Sequence, residues 1–272
     1  MPNAEVLSWV RSRFMPHIWC PGCGHGVIMH AIIRALIGIG ADRKNTVLAS
    51  GIGCSSRMAG YINACTLHST HGRSLAFSTG IKLHRPDLTV VNVMGDGDCT
   101  AIGGNHFIHA CRRNIDITAI VMNNNIYGMT GGQASPTTPV GAFATTTPYG
   151  AVDPTFDICK LAEGAGASYV ARTTIANPKQ AETFIANGIR KKGFSVIEIV
   201  THCHTQFGRK NNRRLPIENY KYFKENSIPL ALAKDKSPEE LAGKIVCGEF
   251  VNKDTPEYTE QYKKLVIDKA RG

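Results

Sequence analysis

The stretch Val90-Val91-Asn92-Val93-Met94-Gly95-Asp96-Gly97-Asp98 decides how this chain folds and where its chemistry sits. Its first five residues are apolar save Asn92 and mostly β-branched, as a strand covered on both faces should be. The run then breaks off in Gly-Asp-Gly-Asp, and a helical pattern begins near Thr100. In an open parallel sheet, ligands gather at the carboxyl ends of strands, where glycine admits the backbone to close range and a helix N-terminus favours phosphate. An aspartate there can hold Mg2+, which takes several oxygen ligands in near-octahedral array, so a second protein oxygen is expected nearby. Asn124 supplies it, 28 residues after Asp96, within the run Asn123-Asn124-Asn125 that closes the next apolar stretch. Alone, Gly-Asp-Gly reads as a β-turn. The asparagine run at a neighbouring strand end turns the reading toward a cation and a diphosphate.

On either side, short β-branched runs alternate with longer amphipathic ones from Cys23 to about residue 200, the pattern of a parallel α/β sheet. The strands expected are Thr46–Ser50, Leu88–Met94, Ile117–Asn123, Ser168–Ala171 and Ser195–Val200. Helices are expected over Gly24–Ile39, Gly72–Leu83, Ala101–Arg112, Phe156–Gly164 and Pro178–Arg190, the last opened by Asn177 as N-cap and proline at the first helical position. The fold class that follows is α/β, a doubly wound and mostly parallel sheet. Tyr127 to Asp153, rich in Gly, Thr and Pro, has neither period and reads as a long functional loop. Residues 1–205 carry the sheet and the site. Residues 206–272 turn polar and basic, with the cluster Arg209 to Arg214, and read as an arm or small cap in which Ser237-Pro238-Glu239-Glu240 is a capping box announcing a late helix.

With 272 residues, 43% hydrophobic and 19% charged, the chain suits one large core with or without a small appendage. Val27 to Ile39 is interrupted by His30, Arg34 and Gly38, and no stretch reaches the roughly 20 clean apolar residues of a bilayer span. No apolar segment followed by a small-residue cleavage site opens the sequence, so a cytoplasmic protein is expected, without a membrane partner. The net charge of +10 suits an anionic partner. Its basic residues are dispersed and carry no stacking aromatics, which argues against nucleic acid and leaves phosphorylated cofactors and acidic proteins.

Nine cysteines scattered over a chain of this size are no secreted disulfide framework. Cys20-Pro21-Gly22-Cys23 precedes the first helix and by itself fits a cluster, a zinc half-site or a redox dithiol. Cys54, in Gly51-Ile-Gly-Cys-Ser-Ser-Arg57, follows the first strand, and Cys203, in Thr201-His-Cys-His-Thr205, follows the last. Both therefore stand at the sheet edge that carries Asp96 and Asn124. Cys65, Cys99, Cys111, Cys159 and Cys247 lack such context and read as small buried hydrophobes.

Gly-Asp-Gly followed by Asn-Asn at a strand end resembles the thiamine-diphosphate signature. Trp19-Cys-Pro-Gly-Cys-Gly24, Gly51-Ile-Gly-Cys-Ser55, His71-Gly72-Arg73, Gly95-Asp-Gly-Asp98 and Asn125-Ile-Tyr-Gly-Met-Thr-Gly-Gly-Gln133 together resemble the thiamine-diphosphate-binding beta subunits of 2-oxoacid:ferredoxin oxidoreductases, over nearly all of the chain to about residue 215. The resemblance implies that Asp96, Asn124 and the Ile126 carbonyl ligate Mg2+, and that Gly95, Gly97, Asp98 and Tyr127 lie along the cofactor. It implies that Cys20, Cys23, Cys54 and Cys203 hold one [4Fe–4S] cluster, with a zinc site from the same four as the alternative.

The activity implied is oxidative decarboxylation of a 2-oxoacid to its acyl-coenzyme A, with electrons passing through the cluster to ferredoxin. A non-redox thiamine-dependent decarboxylase and a non-catalytic zinc scaffold are the rival readings. Such enzymes need a glutamate against the aminopyrimidine, and between Glu5 and Glu163 there is none, so an alpha-type partner subunit is expected to supply it. Arg57 and His25 are the candidate contacts to substrate. An arginine suits a distal carboxylate and favours 2-oxoglutarate, with pyruvate and branched-chain or aromatic oxoacids left open. The bland alternatives are an Arg57 paired to a structural carboxylate and a His25 capping a helix. The basic arm is as readily a solvated surface as a ferredoxin dock.

Overall fold

The computed structural model describes residues 3–271. Ten strands form, β1 Thr46–Ser50, β2 Cys65–His68, β3 Thr89–Gly95, β4 Thr118–Asn123, β5 Ile126–Tyr127, β6 Gln133–Ala134, β7 Tyr169–Thr174, β8 Ser195–Val200, β9 Ser227–Pro229 and β10 Ile245–Asn252. Eight of them make one sheet in the order β2-β1-β3-β4-β8-β7-β10-β9, and β5 with β6 makes a small hairpin. The first six strands of that order are parallel, while β10 runs antiparallel to β7 and parallel to β9.

Alternation along the strands sorts two cores. Val91, Val93, Ile120, Met122, Ile197 and Ile199 face the helices Gly24–Gly38 and Pro178–Arg190. Val90, Met94, Ala119, Val121, Val170 and Val196 face the helices Ser74–His84, Gly104–Arg113 and Ile158–Gly164 on the other side. Helices on both faces leave little of β1, β3, β4 and β8 exposed, which is why those strands are nearly continuous apolar runs. Chain order reverses between β1 and β3, since β1 is followed by β2 on one side and β3 on the other. At such a switch point the loops after the two strands diverge and open a crevice.

Five strands, the doubly wound class and the Asn177 cap, whose side chain accepts from Gln180 N–H, form as the sequence predicts. The differences have physical reasons. The helix after β3 begins at Asp96 rather than near Thr100, breaks at Ala101 and resumes at Gly104. The break follows from glycine: Gly72 at φ +68° packs so tightly on Gly103 that a Cβ there would fall 2.6 Å from the Gly103 nitrogen. The late helix announced at Ser237 does not form. Ser237 N–H donates to Glu240 at 2.9 Å, so the capping box closes, but only turns follow, because this segment buries no apolar face that would hold a helix. The expected loop from Tyr127 to Asp153 is irregular except for the β5–β6 hairpin. Two strands beyond residue 205, β9 and β10, extend the sheet. Among the described residues no helix is long and apolar enough to cross a membrane.

Candidate functional site

The crevice at the switch point is lined by Ile52, Gly53, Cys54 and Ser55 after β1, by Gly95 to Asp98 after β3, and by Asn124, Ile126 and Tyr127 after β4. Asp96 is buried and its Oδ2 accepts from Ser135 Oγ at 2.5 Å and Thr137 Oγ1 at 2.7 Å. That leaves Oδ1 for the crevice. The carboxamide tip of Asn124 lies 3.2 Å from this Oδ1 and 2.7 Å from the Ile126 carbonyl. If the amide nitrogen faces them, it bridges two acceptors. If the oxygen does, three oxygens meet with no proton between them, which a cation resolves. Burial pushes the Asp96 carboxyl up, against the pull of the two hydroxyls, and a cation would hold it ionised.

Asn125 carries the turn that brings these groups together, at φ +62°, a left-handed conformation that asparagine tolerates better than most residues. Gly97 has a steric reason to be glycine: a Cβ there would lie 2.2 Å from the Tyr127 ring. Asp98 lines the crevice too and is tied to its wall. It accepts from Gly72 N–H at 2.6 Å and pairs with His71 Nδ1, so its carboxylate fastens the His71–Gly72 turn to the wall of the crevice.

Against this crevice lies a second cavity, about 370 Å3, lined by Cys20, Cys23, Cys54 and Cys203 with Trp19, His202 and Thr205. All four thiols are free. Trp19 Nε1 donates to the Cys54 carbonyl at 2.7 Å, tying the Cys20–Cys23 loop to the loop after β1. The Thr205 hydroxyl lies 3.8 Å from Cys20 Sγ and 3.5 Å from Cys203 Sγ. Burial, with the neighbouring thiols adding to it, pushes Cys23 up to about 12 and Cys54 up to about 11. Thiolates are costly here unless a positive metal centre compensates them, and a four-thiol set facing one cavity is the donor chemistry of such a centre.

The two cavities share a wall of His25, Cys54, Asn124, Gly128 and Met129. His25 is fully buried, and burial together with His202 lowers its pKa to about 4, so the imidazole is neutral at ordinary pH. Its Nδ1 has no partner among the described residues. Arg57 is exposed, lines neither cavity, and makes no hydrogen bond or ion pair among those residues. The structure thus brings together Gly95, Asp96, Gly97, Asp98, Asn124, Ile126 and Tyr127 in one cavity and the four cysteines in the next, with His25 between them and Arg57 apart. Ser135 and Thr137 escaped the sequence reading; their signal was hydroxyls amid prolines in a loop long enough to fold back onto the strand ends.

Residues 51–199 match the family model described as thiamine pyrophosphate enzyme, C-terminal TPP binding domain. The 2-oxoacid:ferredoxin oxidoreductase subunit beta of a Sulfolobus species is 37% identical over 229 residues, 84% of this chain and 74% of that one. The 2-oxoglutarate synthase subunit KorB of Methanocaldococcus jannaschii is 55% identical over 261 residues, 96% of this chain and 97% of that one. The chain belongs to the beta subunits of the 2-oxoacid:ferredoxin oxidoreductases. As such a beta subunit it is one part of a multi-subunit enzyme and carries the family's thiamine-diphosphate-binding domain. A solved 2-oxoglutarate:ferredoxin oxidoreductase from Magnetococcus marinus, with 2-oxoglutarate, coenzyme A and succinyl-CoA bound, superposes on this beta subunit with a TM-score of 0.86 at 31% identity, covering 99% of this chain and 92% of that one.

Proposed function

We propose that this chain holds Mg2+–thiamine diphosphate at the crevice and a [4Fe–4S] cluster at the four cysteines, and that its enzyme converts 2-oxoglutarate and coenzyme A to succinyl-CoA with electrons leaving to ferredoxin. The observation that carries the reading is the shared wall: a cation-and-diphosphate crevice and a four-thiol cavity separated by little more than His25 and Cys54. When bound, thiamine diphosphate supplies the electron sink for losing carbon dioxide, and the cluster takes electrons one at a time. Asp96, Asn124 and the Ile126 carbonyl hold the cation. Gly95 and Gly97 leave room along the diphosphate, and neutral His25 faces the reacting region without adding charge. For the cysteines, a single tetrahedral zinc at about 2.3 Å from each sulfur would bring the sulfurs to about 3.8 Å of one another. Among the described residues no three of these four come within 4.8 Å of one another, wider than that tetrahedron.

Residues 1–205 act as the cofactor-carrying unit and 206–272 as the arm. Its exposed Arg209 and Arg214 stand a few residues past Thr205 and Gln206, which line the thiol cavity, and steer an acidic ferredoxin toward the electron exit. The enzyme works in the cytoplasm, with an alpha-type subunit completing the site. Anaerobically purified enzyme is expected to hold about four irons and four acid-labile sulfides per copy of this chain. Absence of iron, or one zinc in its place, overturns the redox reading.

Arg57, exposed three residues past Cys54 and outside both cavities, has a guanidinium free of internal carboxylates among the described residues and is the candidate clamp for a distal carboxylate that reaches beyond the crevice. A charge-assisted hydrogen bond contributes about 1.5–3 kcal/mol, so Arg57→Ala is expected to raise KM for 2-oxoglutarate by roughly 10–100-fold and to leave any pyruvate turnover unchanged. Equal effects on both oxoacids would remove Arg57 from substrate selection.

A further inference from the structure

Glu198 lies in the middle of β8, between β4 and β7, and is 3% exposed. A carboxylate in the centre of a six-residue buried strand is expensive. Its register partner Arg172 donates from Nε to Glu198 Oε2 at 2.6 Å and also pairs with Asp157. Buried ion pairs of this kind add little stability over apolar residues of the same size, so stability does not account for the pair.

The other carboxylate oxygen leads to the cation site. Asn123 Nδ2 donates to Glu198 Oε1 at 2.8 Å, and Asn123 Oδ1 accepts from Asn125 N–H at 3.1 Å and from Thr137 Oγ1 at 3.0 Å. An asparagine amide turned by half a rotation would present the wrong atom at both ends. Glu198 removes that freedom, because an ionised carboxylate only accepts. Arg172 holds the carboxylate in place, Glu198 draws the amide nitrogen toward itself, and the amide oxygen is thereby turned to Asn125 N–H and the Thr137 hydroxyl. That bond pins the left-handed turn from which the Asn124 side chain and the Ile126 carbonyl meet Asp96.

We infer that Glu198 is a positioning residue for the cation site: through the fixed amide of Asn123 it sets the turn that presents Asn124 and Ile126. The inference rests on the cation site proposed above and extends it to a residue that touches neither cation nor cofactor.

The test uses the assembled enzyme with thiamine diphosphate and Mn2+ as a spectroscopic probe of the cation site. Glu198→Gln keeps one acceptor, which Arg172 takes, and turns an NH2 toward Asn123. The asparagine flips and Asn125 N–H loses its acceptor. The Kd for Mn2+ is expected to rise about 10-fold or more, the scale of lost outer-shell partners. Asn123→Asp, which sets carboxylate against carboxylate, is expected to do the same. The double variant Glu198→Gln with Asn123→Asp restores every donor–acceptor match with the polarity reversed and the charge unchanged, and should return Mn2+ affinity to within about threefold of the parent through a large coupling energy. A role in packing alone makes the double variant worse than either single one. Wild-type affinity in Glu198→Gln, or a double variant that fails to assemble or binds no better than the singles, overturns the inference. If Glu198→Gln alone fails to fold, recovery in the double variant still supports it. Should the parent enzyme take up no Mn2+, the proposed cation site falls first and this inference with it.

Discussion

Asp96→Asn is expected to strip the enzyme of thiamine diphosphate while leaving the iron–sulfur absorption unchanged. The substitution keeps the shape of a buried side chain, and the Ser135 and Thr137 hydroxyls at 2.5 and 2.7 Å can turn to suit an amide. The cost to folding is that of rearranged neutral hydrogen bonds, on the order of 1 kcal/mol. The cost to the cation is larger. Only two side chains and one carbonyl meet at the proposed cation site, and Asp96 supplies the negative charge among them. Loss of an outer-shell partner already weakens a metal site roughly 10–100-fold, so loss of this direct charge should exceed about 100-fold in cofactor affinity. Thiamine diphosphate retained after gel filtration, its Kd by calorimetry, and the visible spectrum together decide the matter. Cofactor retained at parental affinity would remove Asp96 from the cation site. Loss of cofactor and cluster together would show that the two cavities, which share the wall of Cys54 and Asn124, do not act as separable sites.

What was legible in the sequence follows from how each element is stabilised. The strands β1, β3, β4 and β8 could be read because both faces are buried, so nearly every residue is apolar and the run itself is the signal. β2 is an edge strand, Cys65-Thr-Leu-His68, half exposed and without such a run, and β10 owes its place to pairing with β7 across some 75 residues of sequence rather than to its own pattern. The loops after β3 and β4 announced themselves through Asp96 and Asn124, residue types that burial tolerates poorly without a partner, and those after β1 and β8 through Cys54 and Cys203, whose Gly-Ile-Gly-Cys-Ser and Thr-His-Cys-His contexts set them apart from the other cysteines. Their supports were not legible. Ser135 and Thr137 reach Asp96 only once the loop folds back, and Glu198 was hidden inside a strand whose other residues said core. That single charged residue was nonetheless the signal, since nothing about a β-strand covered by helices calls for a glutamate.

The chain without its partner subunit is expected to bind Mn2+ and thiamine diphosphate and yet turn over no 2-oxoacid. Among the residues lining the crevice, the carboxylates are Asp96 and Asp98; the first is held by two hydroxyls at the proposed cation site, and the second is tied through Oδ1 to Gly72 N–H and His71, with its Oδ2 buried and unpartnered among the described residues. No glutamate lies between Glu5 and Glu163, and Glu198 is held by Arg172 and Asn123. Among the described residues lining the crevice there is no glutamate to face the aminopyrimidine and promote loss of the thiazolium proton. A missing general acid–base partner removes typically 10²–10⁴-fold in rate, and a crevice open to water on its uncovered side loses more. With 2-oxoglutarate, coenzyme A and a viologen acceptor, the isolated chain should therefore reduce acceptor at least about 10²–10⁴-fold more slowly than the reconstituted enzyme at equal cofactor and cluster loading. Because cofactor binding is measured on the same sample, an empty site cannot mimic the result. Turnover by the isolated chain within about tenfold of the complete enzyme would mean that an acid–base group of this chain has gone unrecognised, and His25, buried, neutral and unpartnered at Nδ1 in the wall between the two cavities, would be the first residue to replace.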